Sequence, residues 1–390
     1  MLSAGSNRIA SLDLMRGVVI LMILVININY FSTPSLLRYN PLAFGEFSDV
    51  DKWTWFFEYA FVKQRFMTML AILYGAGIVL FANKYIKQGV SPTKPFILRS
   101  LLLIMFGLIH AYLIWDGDIL VAYALCGLIV YWLRNIKPVL LISIGVILAF
   151  GATAPDIYAS MLAIVNSPET SPYWFADAET QEQMLTAYQG SWWQLTPERV
   201  ERAISRQSWD FLYFTLWRCA GLMMIGMGLI NTGFFSGERN HKVIMWWCLL
   251  IGVPVSALTA WLYIESGFSY QFFMSYLSVS FYIGGLVLAM GYLCLFIVWS
   301  QSNFAKALQS LMAQVGRMAF TLYIMQSIIC GFIFYGYGLD MYGKVSRSEL
   351  TLVTLAIWVV QILFVKLWFN YFKQGPLETL WRKGYSWGQR

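Results

Sequence analysis

The segment Gly107–Leu120, GLIHAYLIWDGDIL, sets His110 in a long apolar run and follows it with Asp116 and Asp118 around a glycine. An imidazole changes charge nearest to neutral pH, and a carboxylate within reach can fix its tautomer and raise its basicity. That pairing suits a general base, or a transient carrier of a group in transfer. The chain holds 2 histidines, and the other, His241, lies in a basic turn. At membrane depth an ionisable ring faces a polar cavity or another helix rather than hydrocarbon. A histidine bonded to a neighbouring helix for packing alone would leave the same sequence signal.

Further polar residues interrupt the other apolar runs. Asp13 and Arg16 are three apart and can pair at the inner end of the first run. Asn27 lies eleven residues beyond Arg16, close to three helical turns, so it shares that face about 16 Å further out. Arg99 and His110 have the same spacing. Ordinary anchoring of cations at the inner interface accounts equally for Arg16 and Arg99. Arg65 opens the stretch RFMTMLAILYGAG, while Arg218 and Gln326 fall near the middle of later runs. A lone arginine at that depth requires a partner or water.

The elements that must position these residues follow from composition. Hydrophobic residues make up 59%, aromatics 17% and charged residues 12%, and the mean hydropathy is +0.61. A soluble domain carries about 25% charged residues. The chain therefore reads as an all-α polytopic membrane protein, and no run shows the two-residue alternation of a membrane barrel. Apolar runs near 11–31, 65–83, 96–115, 118–134, 138–155, 208–231, 242–264, 272–299, 310–337 and 350–371 predict about ten spans. Lysine and arginine concentrate in alternate short loops, which predicts cytoplasmic N- and C-termini. The first run has no small-residue cleavage site and reads as a retained span. The net charge of +7 reflects the loop bias and forms no stripe suited to nucleic acid.

Two five-span halves, 1–155 and 208–390, flank a long extracytoplasmic connection at 156–207, rich in tryptophans and in acids such as Asp156, Glu169 and Asp177. Thr196-Pro197-Glu198 predicts a helix start there, with the threonine as cap. The connection reads as an interfacial belt or a lid. The 5 cysteines have no CxxC spacing and read as packing residues, with no metal motif, phosphate loop or nucleophile elbow elsewhere.

The blocks DLMRGVVILMILVIN, FMTMLAILYGAG, GLIHAYLIWDGDILVAYALCGLI, AGLMMIGMGL, VGRMAFTLYIMQSIICGFIFY and FKQGPLETLW resemble, in order, those of the YeiB-like bacterial inner-membrane proteins. The resemblance runs from about residue 8 to 385 and is weakest in the long connection and the seventh and eighth runs. YeiB-like proteins in turn resemble membrane-bound acyltransferases, which move acyl groups from acyl-CoA to sugars or other acceptors. The opening block is similar to that of the acyltransferase-3 family, whose pattern has a histidine where this chain has Asn27. It is also similar to the heparan-glucosaminide N-acetyltransferases, which use a histidine in the following outer loop; residues 32–64 contain none, leaving His110 as the membrane histidine.

Two expectations follow. As an acyltransferase, the chain would use His110 as base or acyl carrier, with Asp116 or Asp118 orienting it and Asn27 bonding the developing oxyanion. Arg65 or Arg218 would bind an anionic group of CoA or of a sugar, lipid or small-molecule acceptor, and Arg16 and Arg99 would support CoA affinity from the cytoplasmic ends. As a proton-linked transporter of a small polar or anionic substrate, it would use the same residues, with Gln326, as a mid-membrane site. No short or glycine-broken helix pair repeats between the halves, which weighs against transport. In either case His110, Asn27, Arg65 and Asp116 or Asp118 are expected to line one outward cavity.

Overall fold

Composition demands that the backbone satisfy its own polar groups, and helices do so. The computed structural model describes residues 10–45, 47–151, 153, 158, 162, 174–236, 240–273 and 278–387, and among these no strand occurs. Asp156 and Glu169 lie outside the described residues. Helix α1 spans Ala10–Ser32. Helix α2, Asp49–Phe57, passes through a π-turn at Glu58–Val62 into α3, Arg65–Ile86. Helix α4, Thr93–Ile109, ends in a second π-turn at His110–Ile114, followed by α5, Leu120–Tyr131, and α6, Pro138–Gly151.

The long connection contributes α7, Ala178–Thr186, and α8, Thr196–Gln207. A third π-turn, Phe211–Thr215, leads into α9, Leu216–Asn231. Then follow α10, His241–Glu265, α11, Ser278–Gln301, α12, Lys306–Arg317, α13, Ala319–Phe334, α14, Arg347–Tyr371, and α15, Pro376–Trp387.

Among the described residues 7 helical segments are long and apolar enough to cross a membrane, or 8 if α12 and α13, bent by 78°, form one span. Helices α5 and α6 are apolar but have only 12 and 14 residues, short of the roughly 20 that a straight crossing takes. The protein is thus a multi-pass helical membrane protein.

Helices in lipid gain little from burying apolar faces against one another, so close backbone approach matters more. A Cβ on Gly17 would sit 1.9 Å from the Met312 carbonyl oxygen, and one on Gly316 would sit 1.8 Å from that of Asp13. Backbones of α1 and α12 therefore touch. Helix α9 packs likewise on α3 and α6, so the two sequence halves interlock rather than stand apart. At the chain's end, Glu378 of α15 accepts from Phe320 N (2.8 Å), Thr321 N (3.1 Å) and Thr321 Oγ1 (2.6 Å). An amphipathic terminal helix thereby caps the start of α13, satisfying donors that a helix N-terminus leaves open.

Candidate functional site

Helix α4 widens into a π-turn at His110, a distortion common where helices serve a site. Its last carbonyls have no helical acceptor role left and find partners across the bundle. Arg199 Nε donates to Tyr112 O and Trp192 Nε1 to Leu113 O, each at 2.9 Å. The end of the long connection is thus fastened onto the histidine turn. Thr196, expected as the cap of α8, instead donates to Trp192 O and accepts from Arg199 Nη2, while Leu195 occupies the cap position without a side-chain bond.

Trp115–Asp118 form a tight corner before α5. Asp118 Oδ2 accepts from Val121 N at 2.9 Å, capping α5, and its other oxygen lies 2.8 Å from His110 Nδ1. His110 Nε2 lies 2.9 Å from Ser327 Oγ on α13. A carboxylate accepts from Nδ1–H, which leaves Nε2 as acceptor for the serine hydroxyl. The result is an Asp–His–Ser chain of hydrogen bonds drawn from the corner before α5, the π-turn at the end of α4, and α13. His110 is 0% exposed and Ser327 1%. Tyr323 and Trp115 flank the imidazole, with ring centroids at 5.0 and 6.1 Å.

A cavity of about 440 Å³ adjoins this chain. Its walls include Asn27, Tyr30, Lys63, Gln64, Asp116, Asp118, Arg206 and Asp210. Asp118 joins the two: it lines the cavity and holds His110. The expected lining set is therefore divided. Asn27, Asp116 and Asp118 face the cavity, with Asp116 paired to Arg206 at 3.3 Å, whereas His110 stands behind the wall.

Arg65 also lies off the cavity. It is 1% exposed and donates to Tyr59 O (3.0 Å), Lys63 O (2.5 Å) and Ser256 Oγ (2.7 Å). These carbonyls belong to the break before α3, where Gln64 takes a left-handed φ of 68°. Arg65 thus secures the break. Arg218 Nη2 reaches Thr68 Oγ1 at 3.4 Å in a separate narrow cleft beside Phe150 and Leu222.

Gln326 donates to Ile20 O and Gln361 Oε1, both at 3.1 Å, and Gln361 donates to Leu322 O at 2.9 Å. Such amide links hold α13 to α1 and α14, as polar glue does in lipid. Arg16 pairs with Asp13 at 3.4 Å. Arg99 lies over the Trp381 and Phe81 rings at 4.8 and 5.0 Å, and Trp381 Nε1 donates to its carbonyl at 2.8 Å, tying α4 to α15.

Two features escape sequence reasoning. Ser327 is a small hydroxyl inside an apolar run, marked only by its neighbour Gln326. Glu58, in the aromatic stretch WTWFFEYAFV, pairs with Arg347 and accepts from Asn29 Nδ2 at 3.5 Å. The signal for it was present: a carboxylate set among membrane-depth aromatics.

Residues 229–388 match the family described as protein of unknown function DUF418. The chain is 32% identical over 393 residues to the uncharacterized protein YeiB of Escherichia coli (strain K12), covering 96% of both. It is 30% identical over 400 residues to the uncharacterized protein YxaH of Bacillus subtilis (strain 168), covering 97% of this chain and 94% of the relative. An uncharacterized 39.9 kDa protein in the amylase 3' region of Bacillus acidopullulyticus is 26% identical over 393 residues, covering 97% of this chain and 94% of the relative. No solved structure matches the chain.

Proposed function

Since this chain belongs to the YeiB-like family of membrane proteins, we propose that it is an acyltransferase of the inner, or plasma, membrane, with both termini cytoplasmic. It moves an acyl group from acyl-CoA to a hydroxyl or amine acceptor held in the cavity beside Asp118. The observation that carries this reading is the ordered chain Asp118–His110–Ser327, with spacings of 2.8 and 2.9 Å, which meets that cavity's wall at Asp118.

Asp118 keeps the proton on Nδ1, so Nε2 of the neutral ring can take another. His110 and Ser327 are sealed behind the cavity wall, so the acceptor reaches Ser327 Oγ only once that wall moves; it then hands its proton to Ser327 Oγ as the serine hydroxyl passes its own to Nε2. The acceptor atom then bonds to the thioester carbonyl carbon, the C–S bond breaks, and the thiolate leaves with the proton returned through the same path. Asn27, on the cavity wall, bonds the carbonyl oxygen as it gains charge. Arg16 and Arg99 would meet CoA phosphates from the opposite end. Arg65 and Arg218 support the elements around the cavity.

The test is CoA release from acyl-CoA by protein reconstituted in vesicles, with candidate hydroxyl and amine acceptors. Acceptor-stimulated release that disappears in His110→Gln supports the reading; release undiminished in that variant overturns it. The 78° break between α12 and α13 favours a second reading, because transporters build substrate sites from broken helices. Substrate accumulation in vesicles without CoA release would establish proton-linked transport instead.

A further inference from the structure

Helix α14 carries four exposed apolar side chains, Leu352, Leu355, Val359 and Leu363, whose spacing of three or four residues sets them on one face. The same spacing extends that face to Lys366 and Asn370, both exposed. The face is thus apolar for most of its length and turns cationic and polar near the helix end. With 25 residues, α14 is about 37 Å long, more than the roughly 30 Å of hydrocarbon, so its end turns stand among headgroups.

The neighbouring α12 buries Met312 and Gly316 against α1. Another of its faces presents Ser310, Gln314 and Arg317 to a groove of about 690 Å³, closed on its far side by Lys366, Asn370 and Lys373. Arg317 is engaged within the protein: its Nη2 donates to Lys373 O at 2.8 Å, and its guanidinium lies over the Phe369 ring at 4.1 Å. The ammonium groups of Lys366 and Lys373 have no hydrogen-bond or ion-pair partner among the described residues. No described residue lining the groove is a carboxylate. Of the acids on adjoining elements, Asp13 pairs with Arg16, and Glu378 holds the start of α13. Interfacial anchoring accounts for a single lysine that snorkels to water. It does not require two lysines to converge with the hydroxyl and amide groups of a second helix on one space.

We propose that this groove binds the headgroup of an anionic glycerophospholipid, in the leaflet at which α14 ends, with the acyl chains along the Leu352–Leu363 face. The phosphate meets Lys366 and Lys373, as basic pockets between membrane helices do with acidic lipids. Ser310, Gln314 and Asn370 supply donors and acceptors for a hydroxylated headgroup such as glycerol. A phosphoethanolamine headgroup brings an ammonium for which the described lining offers no carboxylate, so the groove discriminates against a zwitterionic lipid. A soluble anion could meet the same lysines but would leave the apolar face beside them without a role. The inference is independent of the reaction proposed above.

The test is native mass spectrometry of the purified full-length protein, titrated with phosphatidylglycerol or phosphatidylethanolamine of the same acyl chains. Phosphatidylglycerol is expected to be retained at least about fivefold more tightly, the contribution of one lysine near a membrane surface. Lys366→Gln and Lys373→Gln should each weaken its retention about fivefold, and the double variant about 30-fold. Lys366→Arg and Lys373→Arg should keep it. Lys383→Gln, at an exposed position of α15 outside the groove, should leave it unchanged.

Equal retention of the two lipids by the wild-type protein, or phosphatidylglycerol retention unchanged in the double glutamine variant, overturns the inference. Both lysines are exposed, and if the double variant does not fold, the two single variants decide it in the same way. Glycerophosphoglycerol, the same headgroup without acyl chains, should not displace the lipid at equal concentration. Full displacement would make the groove a site for soluble anions and overturns the inference as well.

Discussion

The two histidines are both buried at helix ends, yet their surroundings differ in kind. His241 opens α10, its Nε2 2.7 Å from Phe234 O and its ring edge-on to Phe234 at 4.9 Å, while Nδ1 has no hydrogen-bond partner. A backbone carbonyl can only accept, so that bond fixes the proton in place and pins the turn to the helix. His110 instead lies between a carboxylate and a hydroxyl, groups that can stabilise one tautomer and exchange a proton with the other nitrogen. Burial of an imidazole is common to a pin and to a base; the identity of its partners separates them.

That contrast can be broken most directly at the ring itself. His110→Gln should lower CoA release by about 10²–10⁴-fold, the range for loss of a positioned base, with the helical content of the variant unchanged by circular dichroism. Asp118→Asn retains an oxygen that can accept from Val121 N but loses the charge that fixes the tautomer. Its turnover should fall by about 10²-fold, toward the lower end of that range. A larger loss from Asp118→Asn than from His110→Gln would show the carboxylate acting through something other than the ring.

Ser327→Ala leaves Nε2 without its partner and should lower both turnover and stability. The cost of a buried group losing its bond is about 1–3 kcal/mol, read as roughly tenfold or more in CoA release and as a lower Tm.

Gln326→Leu sharpens the comparison from the structural side. It removes an interhelical amide link worth about 0.6–1.7 kcal/mol in lipid, so Tm should fall while turnover stays near wild type. The smallest effect belongs to His241→Gln. One hydrogen bond to a carbonyl is lost or weakened, worth about 1 kcal/mol, and CoA release should stay unchanged. Loss of turnover in His241→Gln comparable to that of His110→Gln would erase the distinction between the two rings.

Much of the molecule could be read from sequence because it depends on near neighbours. Apolar composition without two-residue alternation calls for helices in lipid, since hydrocarbon forbids unpaired backbone groups and a barrel would alternate. The Asp13–Arg16 pair follows from helical spacing, and the approach of Asp118 to His110 from eight residues that turn a tight corner. The helix start at Thr196 was legible too, although its hydroxyl turns away from the capping role to meet Trp192 and Arg199.

Other roles waited on the tertiary structure. Ser327 meets His110 across 217 residues, and Arg347 meets Glu58 across 289. Arg65 and Gln326, each polar and near the right depth, serve a backbone break and a three-helix link instead of the cavity. Periodicity fixes the face on which a side chain stands. Which helix arrives at that face depends on where small residues such as Gly17 and Gly316 let backbones touch, and on which carbonyls the π-turns leave to be satisfied. Those conditions couple segments far apart in the chain, and no local spacing encodes them.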